Sequence, residues 1–326
     1  MDIFSPVRSF ADLITYDLLN LGKDSYLGSA ANFFIYDVIK IGFLLLIINY
    51  SMAVIRYYFP MEKVKNILTK RRWLGLDYLF AALLGVITPF CSCSSIPLFI
   101  GFVGAGIPLG VTFAFLISSP LVNEASLYLF PAMFGIKATL IYNIIGIAVA
   151  VTGGMIIQKL KLDKYVSREL LKFRSRLQIL KEQGGRPLQL KELVRYWWQD
   201  GWNITRQVFP YVLLGVGIGA AIHGFVPASL AERYLSSKEW WAVPLAVLIG
   251  APFYANSVGV IPVMEALVGK GVPLGTALAF MTSIVTVSVP ELLILRKVMK
   301  WQLLATFLSI TIIGIVIMGY ALNAIL

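Results

Sequence analysis

Apolar residues run along this chain in long blocks, interrupted by short clusters of Gly, Pro, Ser and charged side chains. A block of roughly 20 apolar residues is long enough to cross a bilayer core as an α-helix. Such spans are predicted around 43–55 with its upstream turns, and at 136–158, 207–222 and 303–326. Between them lie apolar pieces too short to cross alone, at 1.5 Å of rise per residue against a core of roughly 30 Å. Freed backbone at membrane depth is tolerated only where it is buried in protein or lines a cavity, so these pieces read as re-entrant or broken helices. The fold class predicted is an all-α polytopic membrane protein, with about eight to ten spanning or half-spanning elements.

Composition agrees. The chain of 326 residues is 58% hydrophobic and 14% charged, where a soluble domain has about a quarter of its residues charged; mean hydropathy is +0.80. The net charge of +11 does not indicate a nucleic-acid partner. The cations collect at 56–72 and 159–195, flanking spans as the positive-inside rule requires. Residues 1–28 mix Asp2, Asp12, Asp17 and Asp24 with Arg8 and Lys23. They lack the basic start and apolar core of a signal peptide and are expected to form an extracytoplasmic or interfacial segment. The basic stretch 160–200 is expected to be an amphipathic cytoplasmic linker lying on anionic lipid.

An offset of 165 residues lays 81–118 on 246–283. Gly85/Gly250, Ser92/Ser257, Pro97/Pro262, Gly106/Gly271, Pro108/Pro273 and Gly110/Gly275 coincide. Many matches are Gly and Pro, which fix backbone turns, so the match is more than shared apolarity. Loop charge gives the sense of each copy. The first span ends at the basic 56–72 stretch, whereas its counterpart starts after the basic linker. The span 136–159 ends at that linker, whereas its counterpart starts just after Arg296, Lys297 and Lys300. The reading is two inverted repeats, 29–159 and 201–326, with 56–72 and 160–200 cytoplasmic and both termini extracytoplasmic. Inverted repeats with broken helices are a plan of secondary transporters, whose substrate sits near the midplane between the halves.

The chemistry-bearing residues cluster at the breaks. "TPFCSCSSIP" holds both cysteines, Cys91 and Cys93, with Ser92, Ser94 and Ser95, between Pro89 and Pro97. Two thiols one residue apart suit a soft ion or trivalent metalloid; the alternative is that small residues let helices pack closely. The second copy has Tyr254, Asn256 and Ser257 there, so a thiol site would be one-sided. Asn123 and Glu124 follow a second break expected at "SSP" (118–120), and Glu291 follows "TVSVP". Glu124 and Glu291 are matched with two residues of slippage, and both are candidates for proton coupling or substrate contact. For Glu291 the alternative is an interfacial pair with Arg296 or Lys297. Structural roles are expected for Glu265 near Lys270, and for Asp77 with Lys70 and Arg72. Asp37 is expected to pair with Lys40, and His223 to lie at an interface. No phosphate loop, dinucleotide motif or HExxH occurs, so no cofactor and no enzymatic activity are expected.

At these residues the chain resembles a known family. "TPFCSCSSIPLF", "GAGIPLG", "FLISSPLVNE", "GKGVPLGTALAFM" and "VPELLILRKVMK" are similar to the DUF318 group of predicted permeases, related to the bacterial ArsP organoarsenical exporters. The resemblance covers about 30–326 and implies an inner-membrane permease without bound nucleotide. In the ArsP branch it implies export of trivalent organoarsenicals, with Cys91 and Cys93 as the metalloid-contacting thiols. Two sulfurs suffice for a monosubstituted arsenical. The expected protein is therefore a secondary permease for a small thiophilic solute. Cys91, Cys93 and their neighbouring serines form one wall, Tyr254, Asn256 and Ser257 the other, and Asn123, Glu124 and Glu291 complete the site. Two rivals stay open: a permease for a sulfur compound or organic anion with structural cysteines, and a membrane redox or scaffold protein. Membrane lipid and a small solute, metalloid or otherwise, are the expected partners, and a homo-oligomer is left open.

Overall fold

A computed structural model describes residues 5–22, 25–58, 75–87, 92–123, 125–166, 190–225, 239–251, 257–269 and 271–325. Among them the chain is helical throughout, apart from loops and one isolated bridge between Val166 and Met299. The helices are α1 (Ser5–Asp12), α2 (Tyr26–Tyr58), α3 (Leu76–Ile87), α4 (Ser92–Gly104), α5 (Leu109–Leu121) and α6 (Phe130–Lys159). They continue with α7 (Leu190–Phe225), α8 (Ala242–Gly250), α9 (Ser257–Gly269), α10 (Leu274–Thr286), α11 (Val289–Val298) and α12 (Trp301–Ile325). One π-helical turn, Leu13–Leu18, follows α1, and another, Ala125–Leu129, leads into α6.

Among the described residues, four stretches are long and apolar enough to cross a membrane: Leu27–Ser51, Ala125–Lys159, Leu274–Leu293 and Trp301–Ile325. The protein is thus a multi-pass, all-α membrane protein. The 207–222 stretch lies in the second half of α7, which already begins at Leu190, inside the stretch read as linker; its first turns carry Lys191, Glu192 and Arg195. On α6 the exposed apolar residues Ile136, Leu140 and Ile144 recur every four positions, the stripe expected of a helix face turned to lipid.

The offset seen in the sequence recurs in the elements. Helices α4 and α5 stand to α9 and α10 at that same offset, boundary for boundary. The turn between each pair has one construction. Gly106 (φ 83°) and Gly271 (φ 89°) adopt the left-handed backbone that closes a helix. Ile107 N–H then donates to Phe102 O at 3.1 Å and Gly106 N–H to Val103 O at 3.0 Å. Val272 to Leu267 and Gly271 to Val268 repeat those distances. Pro108 (φ −52°, ψ 137°) and Pro273 (φ −56°, ψ 136°) open the following helix. An amide side chain from the last long helix of each half caps it: Gly110 N–H donates to Gln158 Oε1 at 2.9 Å, and Gly275 N–H to Asn323 Oδ1 at 2.8 Å. A Cβ on Gly110 would collide with the carbonyl of Gly154, and one on Gly275 with that of Gly319. The sequence signals were Gly and Pro because the backbone approaches require them.

Counterpart helices also pack on one another. Phe34, Gly42 and Tyr50 of α2 meet Gly217, Phe209 and Gly201 of α7, and Asn49 donates to Thr205 Oγ1 at 3.0 Å. Rising numbers on one helix meet falling numbers on the other, so α2 and α7 run antiparallel. Helices α6 and α12 do the same: Lys137 Nζ donates to Ile325 O at 3.2 Å, and Val149 lies against Gly314 and Gly153 against Ile310. The core includes residues of α6 and α12 together with α4, α5 and α10, among them Phe99, Phe113, Tyr142 and Phe307.

Three expectations are corrected. Helix α4 is regular from Ser92 and continues through Pro97, so Pro97 does not open the helix. Pro97 is the sixth residue of α4 and lacks the N–H that would bond the carbonyl of Cys93, yet the helix continues through it. Pro262 stands in the same place in α9, so the region 89–97 and its counterpart 252–262 are helical from Ser92 and Ser257 onward. Likewise α5 passes through "SSP", with Pro120 inside it, and ends one residue later. Neighbouring helices and hydroxyl side chains commonly make such prolines tolerable in membrane helices.

Candidate functional site

The ends of α5 and α10 carry hydroxyl and amide side chains into the apolar interior. Ser118, Ser119, Asn123 and Ser126 of the first half, and Thr282, Ser283, Thr286 and Ser288 of the second, are all buried. Each helix end has carbonyls without an intrahelical donor, and burying them requires side-chain donors nearby. Tyr142 on α6 supplies one: its hydroxyl donates to Leu121 O, the last residue of α5, at 2.9 Å. The same hydroxyl lies 2.9 Å from Thr282 Oγ1 on α10. Thr282 also donates to Leu278 O at 2.7 Å. Two hydroxyl protons thus serve three oxygen–oxygen contacts. Ser118 donates to Phe115 O at 3.1 Å, whereas its counterpart Ser283 donates across to Val247 O on α8 at 2.7 Å.

Beyond these helix ends each half starts another helix. In the first, Asn123 Oδ1 accepts from Ser126 N–H at 3.1 Å, and Ser126 Oγ donates to Asn123 O at 2.8 Å. In the second, Ser288 takes the N-cap position of α11 without a side-chain cap bond. Its hydroxyl is buried with no hydrogen-bond partner among the described residues. Glu291, in the first turn of α11, is only 1% exposed. Leu295 and Val298 share its buried face, while Arg296 and Lys297 lie on the exposed one, Arg296 over the Trp301 ring at 5.8 Å. A buried carboxyl in an apolar helix is costly and is by default a functional group.

The backbone corrects the pairing of acids. Leu127 N–H donates to Asn123 O at 3.2 Å and Leu292 N–H to Ser288 O at 3.1 Å. The register therefore carries through without slippage, and Glu291 stands opposite Ser126, not Glu124.

Helix α11 packs against α4 and α7, so the element holding Glu291 meets the element that begins at Ser92. In α4 itself Ser95 is fully buried. Ser92, Cys93 and Ser94 form the first turn of α4 and Ser257 the first residue of α9; their side chains lie outside the described residues, as do those of Glu265 and His223. Cys91, Glu124, Tyr254 and Asn256 lie outside them entirely, as do Lys70, Arg72 and Lys270. Asp77 is in the first turn of α3, and Lys40 sits 5.2 Å from the Tyr36 ring centroid. Of the expected site residues, the structure brings Asn123 and Glu291 to equivalent helix starts. Tyr142, Thr282, Ser288 and Asn143 were not singled out from sequence. Asn143 donates to Ser126 O at 3.4 Å, and its Oδ1 is buried without a hydrogen-bond partner among the described residues. Their only sequence signal is a polar residue inside an apolar span.

The model of a family named ArsP_1 and described as "Predicted permease" matches residues 26–324. The UPF0718 protein MJ0584 of Methanocaldococcus jannaschii is 24% identical over 302 residues, 77% of this chain and 83% of that protein. The UPF0718 protein YcgR of Bacillus subtilis is 24% identical over 275 residues, covering 83% of this chain and 88% of its own. The UPF0718 protein YraQ of Escherichia coli is 23% identical over 272 residues, covering 83% and 74%. No solved structure matches the chain.

Proposed function

The chain belongs to the ArsP_1 family of predicted permeases, and we propose that it is an inner-membrane secondary transporter built from two inverted repeats. The antiparallel packing of α2 on α7 and of α6 on α12 supports the inversion. In this reading the solute binds between the helix starts near Ser92 and Ser257, under the polar layer of Asn123, Tyr142, Thr282 and Ser288. Rocking of one half against the other exposes the site alternately. The solute is small and thiophilic, with a trivalent organoarsenical as the leading candidate, and Cys91 and Cys93 are its ligands. Cys93 belongs to the first turn of α4, where the partial positive charge of a helix end favours negatively charged groups such as a thiolate. Ser92, Ser94, Ser95, Tyr254, Asn256 and Ser257 complete the walls, and Glu291, with Glu124 as the other candidate, carries the coupling proton.

The observation that carries this reading is the buried carboxyl of Glu291 at the start of a helix packed on α4, the helix that Ser92 and Cys93 open. The test is binding and proteoliposome uptake of a trivalent phenylarsenical by the parent and by the Cys91→Ser, Cys93→Ser variant. Binding by the parent that disappears in the variant is the expected result. Equal binding and uptake by both would remove the thiols from the site and turn the search to anionic and sulfur-containing solutes.

A further inference from the structure

Helix α7 begins against the far end of α2, and a cleft of about 490 Å³ opens between them. Its lining is Tyr50 of α2 with Lys191, Val194, Arg195 and Trp198 of α7. The α7 residues fall three or four apart and so share one face of the helix. That face carries two cations and no acid into the cleft. The floor is formed by close helix contact, since a Cβ on Gly201 would lie 3.1 Å from the Tyr50 backbone. The Tyr50 and Trp198 rings meet at 6.2 Å with a tilt of 58°. Trp198 is 55% exposed, and Trp202, one turn further, 48%.

The cleft's height in the bilayer follows from α2. Its apolar run gives out at Arg56, less than two turns beyond Tyr50, so the cleft opens close to where hydrocarbon gives way to headgroups. Exposed Trp is the residue of that layer. Lys191 occupies the first turn of α7, where the helix dipole disfavours a cation; a bound anion would offset both charges and the dipole. An anion with an apolar tail fits all three features: phosphate on Lys191 and Arg195, glycerol and upper acyl chain over Tyr50, Val194 and Trp198. We propose that this cleft is a binding site for the phosphodiester headgroup of an anionic phospholipid. The site is separate from the transport site and does not depend on its substrate.

The experiment uses the full chain purified in detergent and titrated with dioleoylphosphatidylglycerol or dioleoylphosphatidylcholine, with the first bound lipid read by native mass spectrometry. The anionic lipid binds at least tenfold more tightly to the parent. A basic residue near a membrane surface contributes about 1 kcal/mol of attraction to anionic lipid. Lys191→Ala with Arg195→Ala therefore weakens phosphatidylglycerol by about thirtyfold, with phosphatidylcholine unchanged. If that pair aggregates, Lys191→Gln with Arg195→Gln gives the same comparison on an exposed surface. An undiminished preference for phosphatidylglycerol in either monodisperse pair overturns the proposal. So does inorganic phosphate that binds the parent and displaces no lipid, because the site would then take the free ion.

Discussion

Asn123–Ser126 and Ser288–Glu291 occupy the same place in the two halves, on matching backbone, and do opposite things. In the first, side chain and main chain satisfy one another through two hydrogen bonds. In the second, the residues spell the S-x-x-E pattern of a capping box. Yet the Ser288 hydroxyl makes no cap bond, and Glu291 is turned into the interior. The turns match in the two stretches, while a hydroxyl at Ser126 stands where the other has the buried carboxyl of Glu291. The same asymmetry marks the other break, with two cysteines in one copy and Asn256 and Val258 in the other. Symmetry here resides in the backbone contacts, and chemistry in the departures from it.

The comparison can be broken by mutation, most sharply at Glu291. Glu291→Gln keeps the shape and removes the titrating group. Uptake driven by a pH gradient should fall by more than tenfold in proteoliposomes, while solute binding persists; unchanged gradient-driven uptake would reduce Glu291 to a structural residue. Gly110→Ala and Gly275→Ala place a Cβ against the same carbonyl in each half. Each should cost about 1–3 kcal/mol, the usual cost of overpacking, read as a drop in melting temperature in detergent. Tolerance of only one would show that the halves are not packed alike. At the caps the effects should diverge: Asn123→Ala should cost about 1 kcal/mol, whereas Ser288→Ala should stay within about 0.5 kcal/mol. Equal losses would mean that Ser288 caps α11 after all. Thr282→Val, the smallest effect, should cost under about 1 kcal/mol, in line with hydrogen bonds measured inside membrane bundles.

The repeat was legible because Gly106, Pro108, Gly110 and their counterparts are needed by backbone geometry, and geometry leaves residue types behind. Glu291 was legible as a candidate because an acid in an apolar run is costly, but an interfacial pair with Arg296 or Lys297 stood equally open, and its burial is a finding of the structure. Helix boundaries were less so: Pro97 and Pro120 read as breaks, yet both helices continue through them. The acids were paired by type, and the backbone pairs them by position instead. The contact between Tyr142 and Thr282 left no trace, because it joins residues far apart in sequence and neither periodicity nor spacing records it.

The contact between Tyr142 and Thr282 has a bearing on motion. Tyr142 keeps Leu121 O as an acceptor within its own half, and Thr282 keeps Leu278 O within its own. If the halves separate at this point, neither hydroxyl proton is left stranded in the interior, and the dry enthalpic cost of opening is small. In the proposed alternation of the two halves, this contact is a clasp that comes undone with little loss.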